Sequence, residues 1–240
     1  MRKILTMGVV FSTLLFMTAC GTQEAQQPPG NGFSAGMVTD QSGVNDQSFN
    51  QSSWDGLLRL QQDIGADVSY LESATPADKE PNMDRMYDQG KDIIWVIGFL
   101  GAEPVSQAAM LNPNQAYGIV DYNFGDDIQD NVVAVEFFDN EASFLAGYLA
   151  ARHSDTGVIG FMGGMDIPVI HRFEAGFSAG AAYANYIHGL DVEVLIQYIG
   201  DFHSSAIARG ISTSMFASGA DVLYAAAGTA GQGAIDAAID

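Results

Sequence analysis

A single cysteine, Cys20, is all that 240 residues contain, and that scarcity excludes an internal disulfide. Basic residues are scarce too. Lys and Arg number 9 against 29 Asp and Glu, for a net charge of −20. No Lys/Arg cluster overcomes this repulsion, so nucleic acid is not an expected partner. Catalytic signatures are also missing: there is no G-x-x-x-x-G-K-[ST] phosphate loop and no G-x-S-x-G nucleophile elbow. GTAGQG at 228–233 lacks the G-x-G-x-x-G spacing and reads as a turn. His153, His171, His188 and His203 are scattered without i, i+4 pairing, so they present no metal-ligand set. No nucleophile, base and orienting group follow from spacing. Neither enzymatic activity nor a metal or other cofactor is expected.

The N-terminus does carry a signal. Arg2 and Lys3 precede ILTMGVVFSTLLFM at 4–17, and Thr18, Ala19, Cys20 and Gly21 follow. A charged start, a short apolar core and small residues describe a secretory signal peptide over 1–19. The apolar run falls short of the roughly 20 residues of a membrane span. Met-Thr-Ala-Cys resembles the bacterial lipobox, with Met17 in place of the usual Leu. It implies a lipid on Cys20 that holds the chain at the extracytoplasmic face of the cell membrane. Residues 20–32, rich in Gln, Pro and Gly, read as the lipidated tether.

The rest is a folding sequence. Hydrophobic residues make up 48% and charged ones 16%, the balance of a globular chain rather than a disordered one. FSAGMV (33–38), DIIWVIG (92–98), AYGIV (116–120), VVAV (132–135), GVIGFM (157–162), VEVLIQYI (192–199) and DVLYAAA (221–227) read as strands. Several are apolar throughout, as strands covered by helices on both faces are. Helical spacing marks 140–152, 169–187 and a segment in which Trp54, Leu57, Leu58 and Ile64 share a face, with Ser48 and Gln51 as its capping box. Strand-helix alternation predicts an α/β fold with parallel sheets. Ligands bind such sheets at the carboxyl ends of the strands. Asp40, Gly98, Phe99, Asp121, Gly163, Gly164, Gly200, Asp201 and Gly228 all stand at those ends.

TDQSGVNDQSFNQSSWDG (39–56) resembles the signature of the basic membrane protein family, the substrate-binding lipoproteins of ABC importers that include purine nucleoside receptors. The resemblance continues through WVIGFL (95–100), Asp121, 131–151, 157–183, QYIGDF (197–202) and 219–238, covering nearly all of 33–240 in order. It implies a type I periplasmic-binding-protein fold, two doubly wound lobes joined by a hinge. The lobes are expected at 33–135 and 136–240. The family pattern continues beyond Asp240, which implies that the C-terminal lobe is truncated here and that the ribose-binding Asp and Lys lie past it.

By the same resemblance, Phe49 and Tyr224 hold a base between two rings, worth about 1–3 kcal/mol per stacked base. Asp40 and Asp121 accept hydrogen bonds from the base edge, with Asn45 and Asn50 as helpers. Gly228 lets the backbone approach the sugar. From the residues alone, Phe49 and Tyr224 are equally core residues, the two aspartates equally strand-end caps, and Asn50 equally a support for the helix start. The implied function is an extracytoplasmic solute-binding lipoprotein that captures a purine nucleoside for an ABC permease. The alternative is a sensing receptor subunit of the same fold for another solute, such as a sugar-like signal.

Overall fold

The computed structural model describes residues 32–239. The signal peptide, Cys20 and nearly all of the tether lie outside the described residues.

The described residues form eight strands and seven α-helices, which alternate except at one point where two strands follow each other. They are β1 (Ser34–Val38), α1 (Phe49–Ile64), β2 (Asp67–Leu71), α2 (Lys79–Asp88), β3 (Ile93–Ile97), α3 (Ala102–Leu111), β4 (Ala116–Val120) and β5 (Val132–Val135), then α4 (Asp139–His153), β6 (Val158–Gly163), α5 (Pro168–His188), β7 (Glu193–Tyr198), α6 (Ser205–Ala217), β8 (Val222–Ala226) and α7 (Gln232–Ile239). One sheet has the order β2-β1-β3-β4-β5 and the other β7-β6-β8. Every pairing is parallel. The chain passes from one sheet to the other through residues 136–138. This is the type I periplasmic-binding-protein fold that the sequence implies.

The innermost apolar runs became strands because both of their faces are covered. In β1, Ala35, Met37 and Val38 are fully buried, as are Ile94 and Val96 in β3 and Ile159, Phe161 and Met162 in β6. Strand β2 escaped the sequence reading. It lies at the edge of its sheet, and its DVSYL sequence mixes exposed and half-buried residues without an apolar run. Ile64 also departs from expectation. It ends α1 exposed, while Leu60 joins Leu57, Trp54 and Phe49 against the core.

The expected capping box at α1 does not form, since the Ser48 side chain makes no capping bond. Asp46 takes that place. Its Oδ1 accepts the backbone N–H of Ser48 at 2.9 Å and of Gln51 at 3.0 Å, and its Oδ2 accepts that of Asn50 at 2.9 Å. A carboxylate offers two acceptor oxygens to the orphan N–H groups of a first turn, and a hydroxyl offers one.

In the second unit, α4 and α5 approach closely because glycine lines their contact. A β carbon on Gly147 would lie 1.9 Å from the Phe177 carbonyl oxygen, and one on Gly180 would lie 2.0 Å from that of Phe144. Only a hydrogen fits there. The pairing sets the first turns of α5 against the space between the two sheets, where the site lies.

Candidate functional site

The carboxyl ends of β1, β3 and β4 face that of β8 and the start of α5 across a cleft of about 890 Å³. One wall is built by α1 and the first sheet. Asp40 follows β1, and its Oδ1 accepts the Ser42 N–H at 2.9 Å and an Asn50 Nδ2 hydrogen at 2.7 Å. The Asp40 N–H donates in turn to Asn50 Oδ1 at 3.1 Å. Both bonds to the carboxylate fall on Oδ1, so Oδ2 keeps its capacity for a ligand. A β carbon on Gly98 would stand 3.9 Å from Asp40 Oδ2 and 3.7 Å from Phe49 Cε1, which puts carboxylate, ring edge and Gly98 backbone around one point. Gly98 has φ +84°, a conformation available to glycine at little cost.

Asp121 follows β4 with φ +64°, a left-handed conformation that Asp tolerates better than most residues. Its Oδ1 is buried and finds no hydrogen-bond partner among the described residues. Desolvation raises the carboxyl pKa from 3.8 to about 6, the nearby Asp139 and Glu136 push it the same way, and Arg172 opposes them. Arg172 binds Asp139 Oδ2 through Nε at 3.1 Å and Nη2 at 2.9 Å, and Glu136 through Nη1 at 3.3 Å. A single cation therefore serves three carboxylates at the crossover between the lobes. An unsatisfied buried oxygen costs about 1–3 kcal/mol, a cost that a ligand donor would relieve.

The opposite wall comes from β8, the loop after β7 and the start of α5. Tyr224 lines the cleft, but its ring stacks on Phe177 at 5.3 Å and 11°. Its hydroxyl lies 3.3 Å from Ser143 Oγ. One ring face is thus spent on the core. Gly228, with φ +54°, would place a β carbon 3.3 Å from the Phe202 carbonyl oxygen. Ser42 Oγ donates to that same oxygen at 3.3 Å, so the lobes touch where Gly228 passes.

The structure therefore brings Asp40, Phe49, Asp121, Tyr224 and Gly228 to one cleft. Asn50 is fully buried behind its wall, its amide shared between Asp40 and Asp46 at 2.7 and 2.8 Å. Asn45 is exposed and lies off the cleft wall. Sequence reasoning missed the rings of Phe137, Phe173 and Phe202, which also line it. Phe202 follows the strand-end pair Gly200-Asp201, a signal that pointed to its loop. Phe137 and Phe173 had no such marker. Among the described residues, no group of three or more His, Cys, Asp or Glu is placed to hold a metal, and no helix is long and apolar enough to cross a membrane.

A family model described as ABC transporter substrate-binding protein, PnrA-like (Bmp), matches residues 33–240. The chain belongs to the Bmp family. It is similar to the CD4+ T-cell-stimulating antigen of Listeria innocua, 35% identical over 239 residues, covering 95% of this chain and 65% of that protein. It is also similar to the ABC transporter nucleoside-binding protein BmpA of Lactococcus lactis, 36% identical over 239 residues, covering 97% and 66% respectively. Among solved structures, an ABC transporter solute-binding protein from Aeropyrum pernix K1 matches with a TM-score of 0.80 at 30% identity, covering 86% of this chain and 58% of that one. The chain thus spans less than two thirds of the length of each of these three proteins. The Bmp assignment agrees with the resemblance carried by 39–56 and the segments after it.

Proposed function

We propose that this protein is an extracytoplasmic lipoprotein, anchored through Cys20, that binds a purine nucleoside between its lobes and delivers it to an ABC permease. In this reading residues 1–19 are removed as a signal peptide and 20–32 act as the tether. Residues 33–135 and 136–240 belong to the two lobes. One observation carries the ligand class: two carboxylates with unused acceptor oxygens, Asp40 Oδ2 and Asp121 Oδ1, stand in a cleft beside the Phe49 ring. A planar heterocycle with ring N–H and exocyclic amino donors answers both features, through stacking and through charge-assisted hydrogen bonds. The nucleoside-binding relative from Lactococcus lactis supports the same class. Asp40 and Asp121 take the base edge, Phe49 one face and the Tyr224 side the other. Asn50 holds Asp40 in place, and Gly228 admits the sugar. The role is capture and release, with no bond made or broken.

Isothermal titration of the protein with guanosine, inosine and adenosine tests the reading. Binding of at least one is expected, with a loss of tenfold or more in Phe49→Ala. Failure of all three, together with tight binding of an unrelated solute, would overturn it.

A further inference from the structure

Lys79 opens α2 and is 1% exposed. Its Nζ donates to the carbonyl of Thr39 at 2.9 Å and to that of Ile97 at 3.0 Å. Those carbonyls belong to the peptide bonds that lead into Asp40 and Gly98, two groups that meet Phe49 in the cleft. Burying an ammonium costs several kcal/mol. An apolar side chain of the same length would fill the space without that penalty, so packing alone gives no reason for a lysine.

We propose that Lys79 is a positioning residue of the cleft, tying the ends of β1 and β3 together from behind and setting a counter-charge behind the ligand-binding carboxylate of Asp40. Thr39 directly follows β1 and Ile97 ends the neighbouring β3, at the level where the ladder stops and the chain turns into the cleft. A single Nζ bonded to both carbonyls fixes the separation of Asp40 and Gly98. Burial lowers the Lys79 pKa to about 8, and the charge of Asp40 resists that fall. The amine therefore keeps its proton at neutral pH and loses it just above. A neutral amine still has N–H groups for both carbonyls, so pH removes the charge while leaving the tie. Asp40 is the charged group that acts on Lys79, and other charged groups stand on the neighbouring elements. Glu72 follows β2 and is engaged by the Val44 N–H at 3.0 Å. Asp78 and Glu80 flank Lys79 itself, and the exposed Glu103 opens α3.

The inference rests on the cleft being a ligand site, and the experiment separates the two. Nucleoside affinity is measured by calorimetry between pH 7 and 9 for the wild type, Lys79→Met and Lys79→Gln, alongside backbone hydrogen exchange without ligand. In Lys79→Met, exchange over residues 37–42 and 96–100 is expected to rise tenfold or more while β6 is unchanged, and affinity to fall at least tenfold. Lys79→Gln, a neutral donor, recovers part of the exchange protection. Wild-type affinity falls severalfold more from pH 7 to 9 than that of Lys79→Gln, and the comparison between the two cancels any titration of the ligand. Unchanged affinity and exchange in Lys79→Met, or identical pH profiles for wild type and Lys79→Gln, overturn the proposal. If the wild type binds no nucleoside, the functional reading fails, and exchange at the two strand ends alone decides for or against the tie. If Lys79→Met does not fold, Lys79→Gln and the wild-type profile decide.

Discussion

Asp121→Asn is expected to make the protein more stable and a weaker binder at the same time. The wild-type carboxyl titrates at about 6 instead of 3.8 because its charged form is desolvated and faces Asp139 and Glu136, with Arg172 compensating only in part. A difference of this size is at most about 3 kcal/mol at 1.36 kcal/mol per tenfold change. Solvent reaching the side chain reduces this to about 1–2 kcal/mol. The folded pKa is raised above the unfolded one, so the native state binds the extra proton between about pH 4 and 6. Wild-type stability from this group is therefore highest near pH 4, falls as pH rises to about 6, and stays reduced above that. An amide carries no such penalty. Asn also tolerates the left-handed backbone that position 121 requires (φ +64°), and no hydrogen bond to Oδ1 is lost, since none exists. Urea unfolding at pH 4, 5, 6, 7 and 8 measures the difference. The variant should match the wild type near pH 4 and exceed it by about 1–2 kcal/mol at pH 7 and above. Nucleoside binding at pH 7 should weaken tenfold or more, because an amide presents one acceptor without charge. A stability difference independent of pH, or a variant less stable at pH 7, would refute the reasoning.

Further outcomes follow from the same geometry. Asp46→Ala leaves the first-turn N–H groups of Ser48, Asn50 and Gln51 without their acceptor, and thermal unfolding should show a loss of about 2 kcal/mol; Ser48→Ala should change little. Gly180→Ala drives a β carbon into the Phe144 carbonyl and should cost about 1–3 kcal/mol by forcing α4 and α5 apart. Unaltered denaturant midpoints would show that the helices can slide. Arg172→Met strips the buried Asp139 of its partner and should cost about 1–3 kcal/mol at pH 7. The loss should shrink towards pH 4, where carboxylates take up protons, as unfolding at the two pH values would report.

How much was legible differs by residue. AYGIV became β4 with those same ends, because a strand buried on both faces must be apolar throughout and says so locally; VVAV became β5 with its own ends although it is an edge strand with Val133 exposed. The edge strand β2 has one flank paired and little burial, so nothing in DVSYL had to be apolar. The start of α1 shows a subtler failure. Ser48 and Gln51 have the spacing of a cap, but Asp46 reaches more of the same N–H groups through a turn in which Gln47 takes φ +51°. Local spacing identifies candidates, and the backbone path chooses among them.

The strand-end residues Asp40, Asp121 and Gly228 were visible because parallel sheets offer their carboxyl ends to ligands, a rule of topology that one sequence can use. Their physical state was not. The raised pKa of Asp121 depends first on its burial and then on Asp139, Arg172 and Glu136, and Lys79 is held by carbonyls 40 and 18 residues away. The free face of Tyr224 depends on Phe177 in another helix. Apolar periodicity and strand-end chemistry are local, so the sequence by itself determined the α/β architecture and the rim on which the site stands. Desolvation, charge coupling and ring stacking arise only between distant segments in contact, and the tertiary structure alone decided them.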